Sequence, residues 1–417
     1  MRLMQSRKLN YFLFSALLGL LLFQAVACSS PIGRRLDVSQ LRWHHIMRLP
    51  AAFAHDVPLG LAGSSAGFSL AVQAGSNVER ALLYRSADGE RWFHTQPRDV
   101  GVLATQPLAS YGQATYLLAS TASGQKPAVW TSSDTRHWAG PTILPGSVAD
   151  ETLVGVMAGP KGVMAVGLNG LDFSSDPRAS PSTPPPFAYE IWFSRNGRSF
   201  NPPVILYTRR GVDPFSVLLA TETGFDMRAS GYILSSQDGR HWGLDVPYSV
   251  SKYAEVLAYE DGRTVLIGGL KGWYQEASGP RVKIVDRSLI TLFSTRCVNN
   301  ACSVSGTSNA MVWKPIERLG YGRLPDLGVT PHQQVNVAYG IPGGLIAAGF
   351  SAYPYVGAVW TSSNGINWTK IPTRINAFNQ TSGFDYIAQS GTHIVLVGLE
   401  VPATPQQVHG TGVWVGR

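Results

Sequence analysis

The chain has 417 residues and a formal net charge of +8, with 44% hydrophobic residues. Lysine and arginine are scattered, with no run longer than the pairs Arg34–Arg35 and Arg209–Arg210. That excludes the concentrated cationic stripe a phosphate backbone requires, so no nucleic-acid partner is expected.

The first 28 residues have three physical parts: the cations Arg2, Arg7 and Lys8, an apolar run from Tyr11 to Phe23, and the small residues Ala25 to Ala27 ending at Cys28. This order is that of an export signal. The run is too short for a membrane span and lacks a stop-transfer flank. The cysteine directly after the small residues resembles the lipobox of bacterial lipoproteins, although Ala25 stands where leucine is usual. The resemblance implies cleavage before Cys28, acylation of its thiol, and a protein held at the cell membrane facing outside the cytoplasm. An ordinary cleaved signal with a cysteine nearby is the alternative. Loss of residues 1–27 lowers the net charge to +5. Residues 28–40 then form a polar tether that carries Arg34 and Arg35 close to anionic headgroups. Residues 41–417 form the folded domain.

Along that domain a turn motif recurs at Ser86, Ser132, Ser194, Ser236 and Ser362. Each serine is followed two residues on by Asp88, Asp134, Asn196, Asp238 or Asn364, and next, in four of the copies, by Gly89, Gly197, Gly239 or Gly365. Six residues after the serine comes Trp92, Trp138, Phe200, Trp242 or Trp368. Asp-Gly and Asn-Gly suit a tight two-residue hairpin turn, which needs positive φ. Ahead of each turn lie short apolar strand pairs joined at glycine: 59–61 with 67–72, 102–104 with 112–118, 153–156 with 162–167 and 217–220 with 224–227. The series continues with 256–258 and 262–268, 335–338 and 344–349, and 386–388 and 391–398. Two inner strands, a third strand, a turn and a fourth strand make one blade, and the periodicity predicts an all-β fold, a β-propeller of seven four-stranded blades. Residues 243–317 lack the turn motif and are read as one long fifth blade; an eighth blade is the main alternative and a total of six the other. The proline-rich stretch from Ser180 to Pro186 is a surface loop. Cys297 and Cys302 are expected to form a disulfide that staples a small loop, since export favours oxidation.

The turn resembles the Asp-box, or BNR, repeat of sialidases and related secreted propellers, with Asp and Gly adjacent where the usual pattern separates them by a residue. The resemblance implies a sialidase-like propeller and places the turns at the periphery. A sialidase also needs an arginine cluster, a nucleophilic tyrosine with a carboxylate partner and an acidic acid/base. Arg48, before Leu49-Pro50, is the nearest match to the family's first arginine. Leu144-Pro145, Val246-Pro247, Leu324-Pro325 and Ile371-Pro372 occupy similar places, so that dipeptide belongs to the repeat. Adjacent His44 and His45 fall on opposite faces of a strand and cannot converge on one metal. The recurring tryptophans are read as blade packing.

Asp56, Asp99, Glu151, Asp213, Glu255 and Asp385 stand just before the inner strands, with Gln334 near the corresponding place. Their sequence position suggests a ring of acids at one mouth of the central channel; the alternative is loop residues bonding their own backbone. The sequence predicts ring closure by antiparallel pairing of 41–47 with 411–417, Trp43 lying beside Trp414, because an open ring would expose two strand edges. The function read from these features is a monomeric binding or scaffold module of the cell envelope, taking an envelope glycan or protein ligand and no cofactor. The alternative is a glycan-active hydrolase or lyase working in the central funnel.

Overall fold

A computed structural model describes residues 41–46, 57–73, 81–147, 151–170, 187–207, 217–229, 232–246, 254–260, 263–268, 281–286, 296–298, 301–303, 322–323, 334–351, 356–363, 368–371, 378, 381–400 and 410–417. All the regular structure in them is strand, but for one short helical turn at Phe378. The strands run as antiparallel meanders. Val57–Ser64, Gly67–Gln73, Ala81–Ser86 and Phe93–Thr95 pair in that order. Val217–Ala220, Phe225–Ala229, Tyr232–Ser236 and Gly243–Val246 repeat the arrangement, as do Gln334–Ile341, Gly344–Ser351, Val356–Ser362 and Trp368–Lys370. So do Ala254–Glu260, Arg263–Gly268, Arg281–Asp286 and Gly322–Arg323.

Two further meanders, Val100–Tyr111 to Ala139–Ile143 and Thr152–Gly159 to Val204–Tyr207, join with one later hairpin in a ten-stranded sheet. A parallel bridge between Gln106 and Gly155 joins their first strands. In the earlier meander Leu103, within the 102–104 expected from sequence, pairs with Ala119, and after an irregularity the pairing continues at Leu108–Tyr111. The hairpin Arg296–Val298 and Ala301–Ser303, with Cys297 and Cys302 directly opposite, lies parallel to Val204–Tyr207. The cysteine segment therefore extends the outer edge of that meander rather than the sheet that begins at Ala254, a placement that no local pattern announces.

First strands touch in succession: Val57–Ser64 meets Val100–Tyr111, then Thr152–Gly159, Val217–Ala220, Ala254–Glu260, Gln334–Ile341 and Thr381–Ser390 follow, and the last touches the first. This is a propeller arrangement. The core lies between successive sheets: Phe68, Leu70 and Tyr84 pack against Val395, Val413 and Val415, while Met164, Ile191 and Phe193 pack against Phe225, Met227 and Trp242. Trp130, Trp192, Trp242, Trp360 and Trp414 are fully buried. The Trp130 and Trp192 indoles donate to the carbonyls of Arg98 and Pro145, fastening the third strand to the segment that enters the sheet.

Thr381–Ser390, His393–Glu400 and Thr411–Gly416 receive their fourth strand from the other end of the chain, Trp43–Ile46. The antiparallel pairing expected from sequence is present, in a register that puts His45 opposite Trp414 and Trp43 opposite Gly416. His45 stacks on Trp414 with ring centroids 4.6 Å apart. Trp43 lies two residues along because Gly416 leaves room for its indole: a Cβ there would come within 2.9 Å of the ring.

The turn motif differs from the two-residue hairpin its Asp-Gly pairs suggest. Arg85 pairs with Phe93, so the connection spans the residues between them. Ser86 Oγ accepts the Gly89 amide at 2.8 Å, and Asp88 Oδ1 accepts the Glu90 and Arg91 amides at 2.9 and 3.1 Å. Two side chains thus take three backbone donors, as in a helix cap, and hold a longer loop. The pattern repeats at Ser132–Asp134 and Ser194–Asn196, and again at Ser236–Asp238.

Candidate functional site

Near their starts the inner strands slip by one residue against their partners, at Leu59, Val154, Glu255, Asn336 and Asp385. Such bulges re-aim a side chain without ending the strand. Three successive sheets carry polar residues at this position: Glu255, Asn336 and Asp385. Asn336 Nδ2 donates to Asp385 Oδ1 at 3.0 Å across the gap between neighbouring sheets. Burial pushes the Asp385 carboxyl above its ordinary range, against the opposing effect of that hydrogen bond. The neighbouring Tyr386 hydroxyl is also pushed up, first by burial and then by the charge of Asp385. The arrangement is a half-sheltered carboxyl and amide at one end of the inner strands, able to accept and donate hydrogen bonds.

Two of the remaining acids expected in the ring, Asp99 and Glu151, take other places. Asp99, at φ +60°, accepts the Ser123 amide and hydroxyl, both at 2.7 Å, and so ties two loops together. Glu151 stands three residues before its bulge and lies over Gly167, whose added Cβ would meet its Oε1 at 2.1 Å. Asp56 and Asp213 fall outside the described residues, as do Cys28 and Arg48. The acids among the described residues therefore do not share one register position. Asn336, within an apolar run, was not singled out by sequence; its signal is a lone polar residue at the strand position equivalent to Asp385.

His44 Nε2 lies 3.0 Å from Glu90 Oε1, and His45 Nε2 lies 2.9 Å from Glu400 Oε1. The adjacent imidazoles thus serve separate carboxylates on the two faces of the closing strand. Among the described residues, no group of three or more His, Cys, Asp or Glu could hold a metal ion.

A second feature lies at the opposite end of the strands. Strands one and three run in the same sense, so the hairpin after strand one and the turn after strand three share that end. There, a groove of about 560 Å³ is lined by Lys161, Arg195, Asn196, Gln237, Asp238 and Arg240, among others, with Phe193 beneath.

No family model matches the chain, and no curated protein does. Solved structures resemble it in fold. A GH74 xyloglucanase from Xanthomonas campestris is 13% identical with a TM-score of 0.48, over 89% of this chain and 55% of its own. An acylaminoacyl peptidase from Pyrococcus horikoshii is 10% identical with a TM-score of 0.51, over 87% of this chain and 52% of its own. The chain thus spans about half the length of both enzymes. The β-propeller domain of the Trilobed protease from Pyrococcus furiosus is 10% identical with a TM-score of 0.46, over 87% of this chain and 95% of the domain. At such identities the likeness speaks for the fold alone: the chain is an all-β propeller.

Proposed function

We propose that the chain is a lipid-anchored, extracytoplasmic binding module: a seven-bladed propeller of sialidase-like, Asp-box type that begins at Cys28 after cleavage and recognises an envelope ligand at the bulged end of its inner strands. The observation that carries the reading is the Asn336–Asp385 pair. It offers a donor and an acceptor at the end of the channel, in a setting where burial sharpens each hydrogen bond. A glycosidase would set a second carboxyl across from the first; here the group that faces Asp385 is an amide, which favours binding over hydrolysis. The blade count is supported by the cyclic succession of first strands from Val57–Ser64 to Thr381–Ser390. A disulfide between Cys297 and Cys302 is part of the proposal, supported by their opposed Cα positions and by the oxidising compartment.

The test is an array of envelope glycans probed with the full chain in detergent, followed by titration of each hit against Asn336→Leu and Asp385→Leu. Loss of at least tenfold in affinity in both variants is expected. Undiminished binding in both, or turnover of a bound glycan, would overturn the reading.

A further inference from the structure

We infer that the groove at the turn end is a second binding site, for an anionic oligosaccharide. It is built by two successive repeats. Lys161 comes from the hairpin after Thr152–Gly159, Arg195 and Asn196 from the turn at Ser194, and Gln237 and Arg240 from the turn at Ser236. The hydrogen-bonding capacity left over there consists mainly of donors. Asn196 Oδ1 is occupied by Ser194 Oγ and the Arg198 amide, which leaves the side-chain NH2 to spare. Among the described residues, Lys161, Arg195 and Arg240 make no ion pair, whereas Arg91 is paired with Asp88 at 3.6 Å and Arg417 with Glu90 at 2.7 Å.

Asp238 is the one carboxylate among the lining residues, and its oxygens are turned to its own loop. Oδ1 accepts the Arg240 and His241 amides at 2.9 and 2.8 Å, and Oδ2 meets His241 Nδ1 at 2.6 Å. Three cations against one carboxylate leave the lining with a formal net charge of +2, and among the described residues none of the three is drawn into an ion pair. Guanidinium forks bind carboxylates in two-point fashion. The neutral amides of Asn196 and Gln237 and the hydroxyl of Ser199 suit sugar hydroxyls, which a simple phosphate ion does not offer. The volume falls within the ~300–1,000 Å³ of ordinary ligand sites and leaves room for a short oligosaccharide. This site is separate from the Asn336–Asp385 pair and stands or falls independently of it.

The probe is oligogalacturonate, titrated calorimetrically into the full chain in detergent at low and at moderate salt, with a neutral malto-oligosaccharide and polyphosphate in parallel. Oligogalacturonate binds, more weakly as salt rises, and the neutral sugar does not. Arg195→Gln with Arg240→Gln weakens binding at least tenfold, and Lys161→Gln weakens it to a smaller degree. Arg136→Gln, an exposed arginine at the equivalent turn position of another repeat, leaves it unchanged. All four side chains are exposed, so the melting temperature of each variant stays at the wild-type value. No binding of oligogalacturonate, an equal loss in Arg136→Gln, or tenfold tighter binding of polyphosphate would each overturn the inference.

Discussion

Replacing Gly197 by alanine should destabilise the propeller far more than the same change at Gly112. Both glycines have positive φ, +70° and +62°, so both substitutions carry the left-handed penalty of about 1–2 kcal/mol, part of which is offset by the stiffer unfolded chain. They differ in surroundings. An added Cβ at Gly112 meets nothing within 4 Å, whereas at Gly197 it would lie 2.2 Å from Cε1 of Tyr116 on the preceding meander. That ring is buried at the sheet interface and cannot retreat freely, which adds about 1–3 kcal/mol of overpacking. Expected losses are therefore about 2–4 kcal/mol for Gly197→Ala and about 1 kcal/mol or less for Gly112→Ala. Equilibrium urea unfolding followed by tryptophan fluorescence measures both. A double-mutant cycle adds a sharper readout. Pairing of Ala62 with Ser69 and of Ala109 with Tyr116 gives Ser69 and Tyr116 the same register position, and the turn that follows Ser69's sheet carries Thr135 in place of glycine, at φ +60° and buried. A small residue on one sheet thus accompanies a side chain in the next turn. Tyr116→Ser should accordingly couple favourably with Gly197→Ala by about 1 kcal/mol or more. Equal losses at Gly197 and Gly112, or additivity in the cycle, would refute docking of the turn glycine onto the neighbouring sheet.

Trp414→Ala should cost about 3–5 kcal/mol, because the ring is fully buried between His45 and Phe384 in the closing sheet; a loss under 1 kcal/mol in urea unfolding would contradict the closure described. Asp134 is held below its ordinary range chiefly by the His137 amide, and Asp88 and Asp238 are lowered by backbone amides that outweigh burial. These groups bind fewer protons folded than unfolded. Their contribution is complete above the ordinary value of 3.8 and is lost as pH falls below it, so Asp134→Asn should flatten acid unfolding monitored by fluorescence. Asp385 has the opposite sign, since its pKa is raised: Asp385→Asn should raise the melting temperature near neutral pH and give no gain in acid, where both states are protonated. Cys28→Ala should release the protein from the membrane fraction or leave its signal uncleaved; unchanged acylation and anchoring would defeat the lipoprotein proposal.

The inner hairpins were legible because their apolar runs stop at residues with a backbone reason to stop. Gly67 and Gly162 sit at φ +120° and +139° with a carbonyl within 2.3 Å of an added Cβ. Those two positions require glycine and the sequence supplies it, while Ala114 and His393 hold the equivalent places in two other repeats. The loop held by Ser86 and Asp88 was legible as a turn but not in its length, since an Asp-Gly pair reads the same whether the carboxylate caps a longer loop or merely precedes a tight one. The axial site was half legible, and for a reason of period: a one-residue bulge moves every later side chain to the other face, and nothing in the letters distinguishes Glu255 and Asp385, which stand on the bulge, from Glu151, which stands three residues ahead of one.

The same limit explains why the groove stayed hidden. Its two arginines sit within turn motifs, and within a single repeat such a residue is an ordinary exposed arginine. Only stacking of one repeat against the next brings Arg195 and Arg240 to the two sides of one groove. Repeat architecture makes the scaffold readable from one strand's worth of sequence, because every unit must solve the same packing problem. A site built between units answers to no such recurrence: the Ser132 turn pairs Asp134 with His137 as the Ser236 turn pairs Asp238 with His241, and what sets the groove apart is the neighbouring repeat that completes it. Arg91 finds Asp88 in its own turn at 3.6 Å, while Asp238, in the equivalent place, is held by the Arg240 and His241 amides and the His241 ring. In that turn a histidine at position 241 stands where the Ser86 turn has Arg91 and takes the carboxylate oxygen itself, and Arg240, one residue earlier, makes no ion pair among the described residues.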